Sequence, residues 1–164
     1  MFTLREICDL GIQIERNGEN FYRDALKQSW SAPLVSMLKM LVEEEERHVD
    51  FFVKLKKGAP RDEGDPRVEA VGREMLREVL GSQTFSLIEA DISGIKTIEQ
   101  LRRTAIEFEK DTILFYEMIR SFVTDKETFN QLGAIIEEEN RHVRIFEQYR
   151  EEESPGSVNP MEAD

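Results

Sequence analysis

The sequence predicts an all-α protein: an antiparallel four-helix bundle with one long crossover connection. Three observations carry this. Apolar residues recur every three or four positions through four long segments, the period of a helix with one buried face. Short breaks separate the first segment from the second and the third from the fourth, while residues 58–96 separate the two pairs. Short connections make antiparallel neighbours, and a long one lets the pairs close on each other. Finally, residues 3–52 match residues 97–146 without a gap, so the chain is two related hairpins.

The first helix is expected over about 4–29. Thr3-x-x-Glu6 has the pattern of a capping box, and Leu4, Ile7, Gly11, Ile14, Gly18, Phe21 and Ala25 form the apolar stripe. Ser29-Trp30-Ser31-Ala32-Pro33 breaks it, with the proline suited to a first turn. The second helix, about 32–57, carries Leu34, Leu38, Leu41, Glu45, His48, Phe52 and Leu55 and stops at Lys56-Lys57-Gly58. Cations there suit the negative end of the helix dipole.

The crossover 58–96 opens as a Gly- and Pro-rich loop, and Asp65-Pro66 can start a short extra helix to about Leu80. The third helix, about 98–122, follows a second capping box, Thr97-x-x-Gln100, and carries Leu101, Ala105, Phe108, Thr112, Phe115 and Ile119. The fourth, about 125–152, is expected behind Thr124-x-x-Glu127, with Leu132, Ile136, Glu139, His142, Val143 and Phe146 on its stripe. Residues 1–153 thus form one domain, and 154–164 read as a flexible tail.

Composition narrows the function. The chain has 164 residues, 22 Lys+Arg against 34 Asp+Glu, and a net charge of −12. Such acidity excludes a phosphate-neutralising footprint, so no nucleic acid is expected. It equally disfavours an anionic membrane surface, and no apolar run approaches the roughly 20 residues of a span. Arg5, Glu6 and Asp9 interrupt any apolar N-terminal stretch, so no secretory leader is expected and the cytoplasm is the expected compartment. Cys8 is the single cysteine, which excludes an internal disulfide and a Cys-x-x-Cys metal site in this chain. It reads as a small buried hydrophobe.

The repeat is most informative in its polar positions. There are 13 identities in the 50 aligned positions, and they include Glu15 on Glu109, Phe21-Tyr22 on Phe115-Tyr116, Glu43-Glu44-Glu45 on Glu137-Glu138-Glu139, and Arg47-His48-Val49 on Arg141-His142-Val143. In Glu45-x-x-His48 and Glu139-x-x-His142 a spacing of three places both side chains on one face. That face is the apolar stripe, whereas Glu44 and Glu46 are turned about 100° to either side. Glu15 and Glu109 each adjoin a stripe residue, Ile14 or Phe108, and each has a tyrosine two turns on, Tyr22 or Tyr116.

Four glutamates and both histidines therefore point to one core, with no lysine or arginine in the stripes. Burying four carboxylates without partners is prohibitively costly. Two divalent cations would neutralise them, and mixed oxygen and imidazole donors suit iron or manganese better than calcium. A Glu from each of two helices and a Glu-x-x-His from each of the other two is the donor set of di-iron carboxylate bundles.

With these motifs the chain, over about residues 3–150, resembles the rubrerythrin-like branch of the ferritin-like superfamily. The resemblance implies a ferritin-like bundle holding two irons, with manganese or a mixed pair as variants. Glu15, Glu45, His48, Glu109, Glu139 and His142 would be the ligands, Glu45 and Glu139 the bridging pair, and Tyr22 and Tyr116 hydrogen-bond donors to ligand carboxylates. It also implies an oxidoreductase acting on hydrogen peroxide or dioxygen, working as a homodimer with electrons from a separate donor protein. The alternatives are ferroxidation with iron handling, as in ferritins, and a metal-binding bundle without catalysis.

Two features depart from the rubrerythrin pattern. This chain has no four-cysteine rubredoxin module. Three residues after Glu109, where rubrerythrins carry a further glutamate, stands Thr112. The resulting six-ligand set looks more like that of bacterioferritin, but Met37 and Met118 read as core filler rather than as haem ligands.

Overall fold

The computed structural model describes residues 4–59 and 94–149. Four helices and no strands occur among them: α1 (Leu4–Ala25), α2 (Ala32–Gly58), α3 (Ile98–Phe122) and α4 (Lys126–Gln148). The α1/α2 and α3/α4 pairs pack as hairpins, and α1 also lies against α3. The short helix expected after Asp65, the Thr3 cap and the tail lie outside the described residues. The fourth helix ends at Gln148, short of the expected 152: Tyr149 is extended, with its N–H on the Ile145 carbonyl.

Local chemistry sets the helix ends, and three differ from expectation. The first helix stops at Ala25 rather than near 29. Lys27 N–H and Gln28 N–H bond back three residues, to Asp24 and Ala25, which tightens the last turn. The Trp30 indole N–H also takes the Ala25 carbonyl, at 2.7 Å. The fourth helix is capped by Asp125, not by Thr124. Thr128 N–H donates to Asp125 Oδ2 at 2.8 Å, and a carboxylate is the stronger acceptor at the positive end of a helix. At Thr97 the capping box forms as its pattern predicts, with Gln100 N–H on Thr97 Oγ1 and Thr97 N–H on Gln100 Oε1, both 3.2 Å. Pro33 sits in the first turn of α2, where a missing N–H costs nothing.

The stripes meet in one core. Leu38, Leu41, Phe52, Leu101, Ala105, Leu132 and Phe146 are fully buried. The two hairpins interlock through matched aromatic pairs: Tyr22 of α1 stacks on Phe146 of α4 at 6.0 Å, and Tyr116 of α3 meets Phe52 of α2 at 5.3 Å. Gly11 permits the close approach of α1 to α2, because a Cβ there would stand 2.8 Å from the Phe52 ring. Cys8 is buried, and Met37 and Met118 pack partly buried against the core, as core filler does. Among the described residues no helix is long and apolar enough to cross a membrane.

Candidate metal centre

Midway along the bundle the apolar core gives way to a polar layer. Glu15, Glu45, His48, Glu109, Glu139 and His142 are all buried, none more than 3% exposed. Each helix contributes by its own periodicity: one glutamate from α1, one from α3, and a Glu-x-x-His pair from α2 and from α4. The structure brings all six together.

They form two overlapping groups. Glu15, Glu45, His48 and Glu139 make one, and Glu45, Glu109, Glu139 and His142 the other, with one donor atom per residue lying within 4.8 Å of every other in its group. Glu45 and Glu139 are common to both. His48 Nδ1 is 2.9 Å from Glu139 Oε1 and 3.3 Å from Glu15 Oε2. His142 Nδ1 is 2.9 Å from Glu139 Oε2, 3.3 Å from Glu109 Oε1 and 3.5 Å from Glu45 Oε1. The two rings lie 6.2 Å apart, nearly parallel.

Much of this closeness is not hydrogen bonding. Among the described residues, Glu45 Oε1, Glu109 Oε2, both Glu139 oxygens and His142 Nδ1 are buried without a hydrogen-bond partner. Buried polar atoms are almost always satisfied, so five orphans in one layer demand a common explanation. Donor atoms aimed at shared points between them, rather than at one another, have this geometry. Among the described residues no lysine or arginine pairs with the four central glutamates; their ion-pair neighbours are the two histidines.

The electrostatics of so many acids in a dry layer are severe. Burial and the neighbouring carboxylates Glu139, Glu15 and Glu109 push Glu45 far above the usual carboxylate range. Burial and Glu139 raise Glu109 to about 7, although His142 and Tyr22 pull the other way. Burial opposes the charge on His48, but Glu15 and Glu139 outweigh it and raise the ring to about 11. Burial likewise opposes His142, and Glu109, Glu139 and Glu44 raise it to about 12. Burial disfavours the Glu139 carboxylate too, yet the two imidazoles hold it below its ordinary value. Without a metal, the layer stays neutral enough to exist only by holding protons.

The tyrosines bond across the bundle. Tyr22 O–H donates to Glu109 Oε1, and Tyr116 O–H donates to Glu15 Oε1. Each hydroxyl thus reaches the glutamate of the opposite hairpin, not that of its own helix. Burial, and then the carboxylates facing them, lift both phenols well above the usual range, so they remain donors.

Sequence reasoning missed one pair. Glu44 and Glu138 fall outside the apolar stripes, yet Glu44 is 7% exposed. His142 Nε2 lies 2.6 Å from Glu44 Oε2, and His48 Nε2 lies 2.9 Å from Glu138 Oε2. The far nitrogen of each imidazole therefore meets a carboxylate from the opposite hairpin, which fixes the ring and leaves Nδ1 facing the centre. Arg141 in turn bonds Glu44, and Arg47 lies 3.5 Å from both Glu44 and Glu138. His142 and Arg141 outweigh partial burial and lower Glu44 to about 2. A residue turned 100° from the core can still be buried here, because α2 and α4 meet along a seam beside the centre. The exact match of Glu44 to Glu138 in the repeat was the available signal.

Comparison with known proteins bears on the chain's family and fold. The rubrerythrin family model matches residues 6–149. A ferritin-like diiron-carboxylate protein from Thermotoga maritima superposes with a TM-score of 0.64 at 20% identity, covering 88% of this chain and 91% of that one. That likeness shows the ferritin-like four-helix fold. No curated protein matches the sequence.

Proposed function

This chain belongs to the rubrerythrin family, and we propose that its buried layer is a di-iron centre that reduces hydrogen peroxide or dioxygen by two electrons. The observation that carries this reading is the pair of overlapping donor groups sharing Glu45 and Glu139, with five donor atoms that no described residue satisfies. The residues fit two divalent ions: four carboxylates balance four positive charges, and oxygen with imidazole donors suits iron or manganese. Glu15 and His48 would hold one ion, Glu109 and His142 the other, and Glu45 and Glu139 both. A bound iron pair would supply the redox chemistry, storing and delivering two electrons.

The protein's own part is to orient donors and control charge. Glu44 and Glu138 hold the imidazoles in the tautomer that presents Nδ1 inward. Tyr22 and Tyr116 fix one oxygen of Glu109 and of Glu15, leaving the other free to turn toward the centre. The surrounding core, with Phe108, Phe146 and Phe52 almost wholly buried, limits water. This chain has a single cysteine, which suits an external protein as electron donor. The acidic exterior favours the approach of a cation.

Anaerobic loading with Fe²⁺ followed by stopped-flow mixing with peroxide tests the reading. Two irons per chain, fast oxidation, and repeated turnover with an added reductant are expected. Growth of mineral well beyond two irons per chain would instead favour iron storage. Failure to retain metal after anaerobic reconstitution would overturn both.

A further inference from the structure

The two hairpins bring matched donor residues to the centre but differ in what stands beside them. Residue 18 of α1 is glycine, and its repeat partner on α3 is Thr112. Position 18 looks straight at a shared carboxylate: a Cβ there would stand 3.1 Å from Glu45 Oε2 and 2.9 Å from the Phe108 ring. The repeat carries Glu45 onto Glu139 and Phe108 onto Ile14, so position 112 holds the corresponding place beside Glu139. Glycine leaves one side of the centre bare, while threonine brings a hydroxyl to the other.

That hydroxyl is unused by the fold. Thr112 is 1% exposed, and its Oγ1 has no hydrogen-bond partner among the described residues. A threonine inside a helix ordinarily bonds the carbonyl four residues back. Thr104, two turns earlier on the same helix, does so, reaching the Gln100 carbonyl at 3.0 Å. Thr112 does not. Valine has the same shape and would avoid the cost of burying an unsatisfied hydroxyl. Residue 112 follows Glu109 by three positions on α3, so it shares the helix face that carries that carboxylate.

We propose that Thr112 is a ligand-binding residue of the centre: its hydroxyl donates a hydrogen bond to the small oxygen or nitrogen species, peroxide or a comparable anion, that enters beside Glu139. Gly18 offers no such donor on the opposite side, so the two halves of the centre are chemically unequal and the entering molecule is directed to the α3 side. This rests on the reading of the layer as a di-iron site.

The test uses the full chain as wild type, Thr112→Val and Thr112→Ser, each loaded with iron and oxidised. Metal content is measured first, and azide is then titrated by its visible charge-transfer band. All three proteins are expected to hold two irons. Azide should bind Thr112→Ser as it binds wild type, and Thr112→Val about tenfold more weakly, the equivalent of one hydrogen bond. In the metal-free state Thr112→Val should melt at or above the wild-type temperature, because no bond within the protein is lost. Equal azide affinity in Thr112→Val with two irons retained would overturn this proposal alone. A lower metal-free melting temperature, rescued by serine, would also overturn it by showing that the hydroxyl serves the fold. A wild-type chain that retains no iron would overturn this proposal and the di-iron reading together.

Discussion

In the α1/α2 hairpin, Gly11 lies under the Phe52 ring and Gly18 under the Glu45 carboxylate; in the α3/α4 hairpin the matching positions are Ala105 and Thr112. The hairpins agree at the six central residues and at the aromatic pairs, then diverge in the small residues packed behind them. The carboxylates beside the histidines diverge too. Glu44 is gripped by Arg141 and His142 with its side chain 10% exposed, whereas the Glu138 side chain is 33% exposed and its nearest arginine, Arg47, is 3.5 Å away. The difference teaches that identical donors do not make identical half-sites. What surrounds a donor decides how firmly it is held and what can approach it.

The largest test of the comparison is at the residues both halves share. Glu45→Ala or Glu139→Ala should remove both metals, while Glu15→Ala or Glu109→Ala should leave about one per chain; metal analysis after reconstitution distinguishes them. Equal losses from all four variants would show that the two groups do not overlap as the geometry indicates.

Next is the response to pH. His48, at about 11, His142, at about 12, and Glu45 carry protons in the metal-free protein at neutral pH, and Glu109, at about 7, is partly protonated. Metal must displace them, so loading should release protons, with a calorimetric heat that depends on the ionisation enthalpy of the buffer. These pKa values are raised in the folded state. The imidazoles therefore contribute stability that is full below about 6.5 and lost as pH rises through 11 to 12. Glu45 and Glu109 act in the same direction from about 4.5 upward. Glu139 and Glu44, whose values are lowered, oppose them, and their window lies below about 4.5. The melting temperature of metal-free protein should thus fall as pH rises from 5 to 9, and that of loaded protein should not.

A smaller effect separates the carboxylates behind the histidines. Glu44→Gln should weaken metal binding by about 10- to 100-fold, and Glu138→Gln by less, because Glu138 is more exposed. Competition with a coloured chelator measures both; a larger loss from Glu138→Gln would reverse the assignment of the firmer half. The smallest effect is in packing. Gly11→Ala places a methyl 2.8 Å from a buried ring and should cost about 1–3 kcal/mol. Ala105→Gly in the other hairpin should cost about 1–2 kcal/mol, through helix propensity and the loss of one buried methyl. Denaturant titration of the two metal-free variants reads both values.

Helical phase and the internal repeat made most of the centre legible in one dimension. A residue three after another on a helix shares its face whatever the helix packs against, so Glu45 with His48 and Glu139 with His142 could be placed before any packing was known. The same periodicity put Glu15 and Glu109 beside the stripe and Tyr22 and Tyr116 two turns on. Glu44 and Glu138 were not legible, because periodicity describes one helix, whereas their burial depends on where α2 meets α4. Asp125 took the cap expected of Thr124 because the helix begins at Lys126, which puts Thr128 N–H rather than Glu127 N–H in reach of the cap.

The sequence by itself therefore determined four helices, two hairpins, six donors on the inward faces and a core charge that needs compensation. Only the tertiary structure decided that each tyrosine and each outer carboxylate serves the opposite hairpin, and that Thr112 has no hydrogen-bond partner among the described residues. The reason is physical. Side-chain direction along a helix is fixed by bonds within four residues, while contact between helices is fixed by how closely their surfaces approach, and that depends on every side chain in the seam.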